Sequence, residues 1–253
     1  MMNVRTEQVL EYIRQKREVT LRELCNQFPE VTEMTIRRDL NILQDRGVIQ
    51  RTWGGASYKN EPIESAYTKG NRAVRALSEK KDIAIKAAQL LTSATSIFLD
   101  AGTTTYELSK VLPTDIPLFV VTNNPDICQE LQYHENCEVL VTGGSLDKKV
   151  LSLSGPTTLS ALENINIDIA FLSAAAVSST CGFSNAQYSD CLVKQKVIER
   201  AATTVMLVDS TKMETLQPYT VCGFNSIDLV VTDKPLPESL QQVVEKHGLQ
   251  VIC

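Results

Sequence analysis

The run Thr32-Glu33-Met34-Thr35-Ile36-Arg37-Arg38-Asp39-Leu40 constrains this chain most, because it reads as the third helix of a helix-turn-helix unit. Before it, Val9, Leu10 and Ile13 set an apolar stripe at helical spacing over residues ~4–16. Thr20 then suits the N-cap of a second short helix, and Glu23 three residues on completes a capping box. That helix buries Leu21 and Leu24 and stops near Pro29. The third helix opens at Thr32, whose hydroxyl accepts from the free amides of the first turn. Ile36, Leu40 and Leu43 recur at i, i+4 and i+7 and face the core, which leaves Thr35, Arg37, Arg38 and Asn41 on the flanks and outside. Gly47 suits the left-handed position that ends such a helix.

Val48 to Trp53 alternates as a strand, and Gly54-Gly55 supplies a turn where φ is free to be positive. Three helices and a short hairpin make a winged helix-turn-helix over residues 1–58. Such a unit lays its last helix in the major groove, where Arg pairs with guanine edges and Thr or Asn reaches other bases. The candidate DNA contacts are therefore Thr32, Thr35, Arg37, Arg38 and Asn41, with Arg51 of the wing on phosphate or in the minor groove. An Arg-Arg pair on an isolated helix is usually just a solvated face. Its place in a capped tri-helical unit with a wing is what favours DNA. Trp53 is expected to pack against the helices rather than touch DNA.

Residues 59–75 read as a linker, with Pro62, Gly70 and no clear period. Its Lys69, Arg72 and Arg75 fit a helix lead-in, a pocket lining or a solvated face, and the sequence leaves these open. Residues 76–253 then alternate helix and strand. Glu79 to Leu91 is amphipathic, and apolar strands follow at Ser96–Asp100, Leu118–Thr122, Val139–Gly144, Ile169–Leu172, Val205–Val208 and Leu229–Thr232. The expected fold class is α/β, an N-terminal winged helix-turn-helix plus a larger C-terminal α/β domain with a mostly parallel sheet.

Those strands end in small, hydroxylated or acidic residues, and ligands of open α/β sheets bind outside the carboxyl ends of the strands. Ala101-Gly102-Thr103-Thr104-Thr105 offers backbone amides, hydroxyls and a helix dipole to an anion. Asp100, Asn123 and Asn124 suit sugar hydroxyls, and Gly143-Gly144 allows close approach of a ligand to the backbone. Lys212 and Lys194 are the cationic candidates for a phosphate. Each has a plainer reading. A Gly-Thr turn often only connects strand to helix, and Asp209 with Lys212 would also suit a structural ion pair. Joint placement at strand ends is what favours a pocket.

Thr35-Ile36-Arg37-Arg38-Asp39-Leu40, followed by Gly47, Arg51 and Gly54-Gly55-Ala56, resembles the signature of DeoR-family bacterial transcriptional regulators. The likeness continues through Asp100 to Thr105, Thr122-Asn123, Gly143-Gly144, Asp209-Ser210 with Lys212, and Thr232-Asp233, so it spans essentially the whole chain. The family usually carries His where this chain has Trp53. The resemblance implies a C-terminal domain like that of sugar-phosphate isomerases such as ribose-5-phosphate isomerase, commonly sensing phosphorylated sugars. Asp100, Gly102, Thr103, Thr104, Thr105, Gly143, Gly144 and Lys212 match the family pattern as effector positions.

The net charge of −5 is uneven: residues 1–58 hold nine basic against eight acidic residues, and the remainder 16 against 22. Neither part is a general polyanion binder, so DNA affinity must come from a local arrangement of arginines and helix N-termini. The seven cysteines are scattered without a CxxC pair, and reduced, mostly buried thiols are expected, with no metal site and no disulfide framework. No signal peptide or membrane-length apolar run is visible, which points to the cytoplasm and away from a membrane.

The expected activity is that of a homo-oligomeric repressor, dimer or tetramer, of a sugar-utilisation operon. It binds double-stranded operator DNA and is released by a phosphorylated sugar, with no cofactor and no catalytic residue. Two rivals stand beside it. One is an isomerase-like enzyme carrying a DNA-binding module, against which His134 and His247 lie outside every motif and no second acid is paired. The other is a constitutive DNA-binding protein whose second domain only oligomerises.

Overall fold

The computed structural model describes residues 4–16, 18–45, 48–52, 54–58, 73–92 and 96–253. The expectations placed on Gly47, Trp53, Pro62, Lys69, Gly70 and Arg72 lie outside the described residues. The chain divides into two compact units, Met1–Tyr67 and Thr68–Cys253.

In the first unit, helices α1 (Val4–Lys16), α2 (Leu21–Gln27) and α3 (Glu33–Asp45) are joined by strands β1 (Glu18–Thr20), β2 (Ile49–Thr52) and β3 (Gly55–Tyr58). Thr20 caps α2 as its sequence demands: its hydroxyl accepts from the Glu23 amide at 3.2 Å, while the Thr20 amide donates to the Glu23 carboxylate at 2.7 Å. Val9, Ile13, Leu24, Ile36, Leu40 and Leu43 are all fully buried in one core. Leu21, expected inside, is only half-buried at the core's margin. The hairpin β2–β3 carries a third strand that alternation could not reveal. β1 pairs antiparallel with β3, with Val19 opposite Ala56, giving the order β1-β3-β2.

The second unit contains α4 (Leu77–Ala88), β4 (Ser96–Leu99), α5 (Thr103–Ser109), β5 (Leu118–Thr122), α6 (Pro125–Glu130) and β6 (Cys137–Val141). It continues with β7 (Ser145–Asp147), β8 (Ser152–Ser154), α7 (Pro156–Leu162), β9 (Ile167–Ser173), β10 (Ala176–Ser178), β11 (Gly182–Asn185) and α8 (Tyr188–Arg200). Last come β12 (Ala201–Leu207), β13 (Tyr219–Cys222), β14 (Leu229–Val231), α9 (Glu238–Lys246) and β15 (Gln250–Ile252). Seven strands form a parallel sheet in the order β15-β14-β12-β9-β4-β5-β6. β7–β8 and β10-β11-β13 form two small antiparallel sheets beside it.

Successive strand residues serve opposite faces of the large sheet. Ile97, Leu99, Val120, Phe171 and Val205 pack with Ile83 of α4, Leu108 of α5 and Ile127 of α6. Phe98, Val121, Leu172 and Met206 pack with Leu162 of α7, Val193 of α8 and Leu240 of α9. Apolar side chains on both faces explain the near-continuous apolar strands of the sequence. The chain runs from β4 outward to β5 and β6, then returns to lay β9 on the other flank of β4. The strand order therefore reverses between β4 and β9, which is where open sheets of this kind place a ligand crevice.

Candidate nucleic-acid interface and ligand crevice

Ile36 and Leu40 hold one side of α3 in the core, so Arg37, Arg38 and Asn41 stand exposed on the other side and Thr35 is half-buried. Thr32 precedes the helix: its hydroxyl accepts from the Thr35 amide at 3.4 Å and lies 2.9 Å from the Thr35 hydroxyl. Arg37 pairs with Glu33 one turn back at 2.8 Å, an exposed ion pair that orients the side chain more than it stabilises the helix. Arg51 of β2 donates to Asn41 Oδ1 at 3.3 Å, which joins the wing to the helix, and its Nε is buried without a hydrogen-bond partner among the described residues.

Asp39, the one charged residue on the inner side of this segment, is 1% exposed. It accepts from Arg5 Nε at 2.7 Å, Arg5 Nη2 at 3.2 Å and the Thr6 hydroxyl at 2.8 Å, and so fastens α1 to α3. Sequence reasoning missed this role, because Arg5 lies 34 positions away and no local pattern connects them.

At the reversal point of the large sheet, Asp100 follows β4 and is completely buried. Its Oδ2 accepts from the Ser173 amide at 3.1 Å and the Ser173 hydroxyl at 2.7 Å, at the end of β9. The same oxygen is ion-paired with Lys194 of α8, itself 2% exposed and 3.6 Å from Asp190. Asp190 in turn accepts from Asn185, whose Oδ1 accepts from the Ala175 amide at 2.7 Å. Lys194 thus faces two carboxylates and is a brace within this network, with its charge already matched. Asp100 Oδ1 is left without a partner among the described residues, at the position where an acceptor costs most if unused.

The turn after Asp100 has a structural reason for each small residue. Thr105 Oγ1 accepts from the Gly102 amide at 3.0 Å and approaches the carbonyls of Asp100 at 2.5 Å and Gly102 at 2.9 Å, so this hydroxyl closes the turn from within. A Cβ on Gly102 would stand 2.2 Å from Ser173 Oγ and 2.9 Å from Ser173 Cβ, which no side chain tolerates. Gly102 caps α5 without a side-chain hydrogen bond, leaving the first-turn amides for another acceptor.

α5 then divides cleanly. Thr104, Thr105 and Leu108 turn inward, whereas Thr103, Tyr106, Glu107 and Lys110, at i, i+3, i+4 and i+7, line a cavity of about 220 Å³ with Gly102 and Asn124. Of the three threonines, only Thr103 therefore lines this space. Lys110 donates to Glu107 Oε1 at 2.8 Å and sits 4.3 Å from the Tyr106 ring centroid. Burial pulls the Lys110 amine down, but Glu107, Tyr106 and Glu130 outweigh it and hold the amine above its ordinary value, hence charged. Burial likewise raises the Tyr106 phenol, helped by its hydrogen bond to Glu130 at 3.0 Å. Tyr106, Glu107 and Lys110 escaped sequence reading. The signal available was the helical spacing that follows from Thr103.

The remaining sequence candidates belong to neither the Asp100 network nor this cavity among the described residues. Asn123 spends its amide on the Leu153 carbonyl at 3.1 Å and Ser152 at 3.3 Å, tying the end of β5 to β8, while its Oδ1 is buried with no partner among the described residues. Gly143 and Gly144 form the turn from β6 to β7. At Gly144 φ is +112°, and a Cβ there would meet Thr158 Oγ1 at 2.2 Å. Lys212 ends a short 3-10 turn after β12, where Asp209 accepts from the Thr211 amide and hydroxyl. Arg75 supplies the carbonyl that accepts from Lys80 Nζ at 2.6 Å at the start of α4.

The expectation of mostly buried thiols needs correction. Only Cys191 and Cys222 are buried, Cys25, Cys128 and Cys137 are half-buried, and Cys181 and Cys253 are exposed, because none of the seven falls on an interior strand of the large sheet. Burial pushes the Cys191 thiol up to about 11 and the Cys222 thiol up to about 12, so both stay protonated and inert. No His, Cys, Asp and Glu cluster suited to a metal occurs among the described residues, and no helix among them is long and apolar enough to cross a membrane.

A capped tri-helical unit with a wing, followed by a parallel sheet with a cavity beside the turn after β4, defines a DNA-binding regulator joined to a small-molecule sensor. The DeoR-like helix-turn-helix domain matches residues 5–61, and the DeoR C terminal sensor domain matches residues 75–234. The HTH-type transcriptional regulator GlpR of Haloferax volcanii is 34% identical over 87% of this chain and 86% of its own. The L-fucose operon activator of Haemophilus influenzae is 29% identical over 99% and 100%, and the glycerol-3-phosphate regulon repressor of Escherichia coli is 28% identical over 96% and 95%. Among solved structures, ribose 5-phosphate isomerase A of Methanocaldococcus jannaschii aligns over 56% of each chain at 18% identity with a TM-score of 0.41. The chain belongs to the DeoR family of transcriptional regulators. It is a DNA-binding protein and not an enzyme.

Proposed function

We propose that this regulator is a homo-oligomeric repressor whose operator binding is weakened when a phosphorylated sugar or polyol occupies the crevice after β4. The observation that carries this reading is Asp100, a fully buried carboxylate with one oxygen unpartnered among the described residues, set immediately before a glycine turn that lines a cavity. Asp100 Oδ1 suits a ligand hydroxyl. The amides of Thr103 to Thr105 and the Lys110 ammonium suit an anion, with Glu107 yielding Lys110 to it. Thr104, Thr105 and Lys194 shape the site from behind; Asn123, Gly143, Gly144 and Lys212 extend it only if the ligand outgrows the cavity. On the other unit, Thr32, Thr35, Arg37, Arg38, Asn41 and Arg51 form the operator-contacting set, in which Arg pairs with guanine or phosphate.

Repression and a phosphorylated effector also accord with the E. coli relative, whose name carries both glycerol-3-phosphate and repressor. The H. influenzae relative named as an activator makes the sign of control a matter for measurement. The test is fluorescence anisotropy of the full chain on the DNA upstream of its own gene, at fixed salt because phosphate contacts make affinity salt-dependent. A panel of sugar and polyol phosphates is titrated beside the same compounds without phosphate. Release by one phosphorylated compound and not by its free parent is the expected result. Specific binding that no compound changes overturns the sensor reading, and tightening by a compound overturns repression by release.

A further inference from the structure

We propose that Met34 is a base-reading residue of the operator complex and that it recognises the C5 methyl group of a thymine. Met34 lies in the first turn of α3 and is 81% exposed, whereas Ile36, Leu40 and Leu43 of the same helix are buried and Ile42 is half-buried. At about 100° per residue, Arg37, Arg38 and Asn41 fall within about 60° of Met34 around the helix, while Ile36, Leu40 and Leu43 fall about 120–180° away. Met34 therefore occupies the middle of the outward face, flanked by the polar residues expected to touch DNA. The first turn is also the part of a recognition helix that approaches base edges most closely.

The chemistry selects the partner. A thioether side chain donates no hydrogen bond and accepts only weakly, so it gains little from the polar edges of guanine, adenine or cytosine. Thymine alone among the four bases presents an apolar group, its C5 methyl, in the major groove. An unbranched, polarisable side chain with three rotatable bonds adapts to such a group without demanding one geometry. The neighbouring polar side chains are already oriented within the chain, Arg37 toward Glu33 and Asn41 toward Arg51. The apolar contact at Met34 adds discrimination that these hydrogen-bonding groups do not supply.

The test uses an operator selected in vitro from random duplexes by the full chain, then resynthesised with each thymine in turn replaced by deoxyuridine, which removes only the methyl. The wild-type protein is expected to lose about threefold to fivefold in affinity at one thymine per half-site, the size of one buried methyl. Met34→Ala is expected to bind the parent duplex more weakly by a similar factor and to ignore deoxyuridine at that position, whereas Met34→Leu keeps the dependence. Circular dichroism checks that an exposed substitution leaves the fold intact. Indifference of the wild type to every deoxyuridine, or undiminished sensitivity in Met34→Ala, overturns the assignment.

Discussion

Asp39 shows how a single side chain in the most recognisable motif of this protein works inside the fold rather than on its surface. Its neighbours Arg37 and Arg38 point out, while Asp39 accepts three hydrogen bonds from Arg5 and Thr6 at 1% exposure. Removing the carboxylate strips away all three of these hydrogen bonds, two from the part-buried Arg5 guanidinium and one from the buried Thr6 hydroxyl, and with them this link between α1 and α3. Asp39→Ala is therefore expected to lower the unfolding midpoint of the winged unit and to weaken operator binding, with the sensor unit's unfolding unchanged. Calorimetry on the full chain measures both transitions, and an unchanged lower transition would show that α1 and α3 hold together without this link. At this scale the sequence was readable where roles are local. The Thr20 box and the outward placement of Arg37, Arg38 and Asn41 follow from spacing alone. Roles that depend on distant partners were hidden. The Lys194 ion pair with Asp100 joins residues 94 positions apart in sequence, and so a buried brace looked like a cation awaiting phosphate.

Among elements, α5 and the turn before it carry most of the site, and their design rests on a contact between two strands' ends. Gly102 lies so close to Ser173 that a Cβ would overlap the Ser173 hydroxyl at 2.2 Å. Gly102→Ala must push β4's exit away from β9, disturb the Asp100 hydrogen bonds and cost about 1–3 kcal/mol of stability. The expected phenotype is normal operator binding with a blunted response to the effector. Ser173→Gly removes both clashing atoms, so the double variant should regain much of the lost stability, although not the Ser173 hydrogen bond to Asp100. Chemical denaturation of the four proteins measures the coupling, and strict additivity would mean the two sites do not collide. The long apolar strands of the main sheet were legible because burial on both faces imposes an unbroken apolar run. The strands of the small sheets were not. β1, β7, β8 and β10 are three residues each, too short to show a period, and β11 pairs with β13 across more than 30 positions.

For the whole molecule, the order of the two units was visible in the sequence, but the place where the sheet reverses was not, since strand order is decided by packing and not by chain order. That reversal puts Asp100, Ser173 and Lys194 together from β4, β9 and α8. If the cavity beside the turn after β4 controls α3, the two binding reactions share one free-energy coupling. Whatever factor the effector takes from operator affinity, the operator must take from effector affinity. Couplings of this type run to about 1–3 kcal/mol, or roughly 5- to 150-fold. The effector found by titration is therefore to be measured again by calorimetry against the protein alone and the protein saturated with operator, at one salt concentration. Equal factors in the two directions are expected. Unequal factors would mean that a third equilibrium, a change of oligomer, is linked to one of the two reactions, whereas equal factors are shared by a ligand in the cavity and one that competes for DNA contacts on the first unit. Thr103→Ala separates those outcomes: it faces the cavity on the second unit, so it should weaken the effector while leaving operator affinity without ligand unchanged. An unaltered effector affinity in that variant would move the sensing site away from α5.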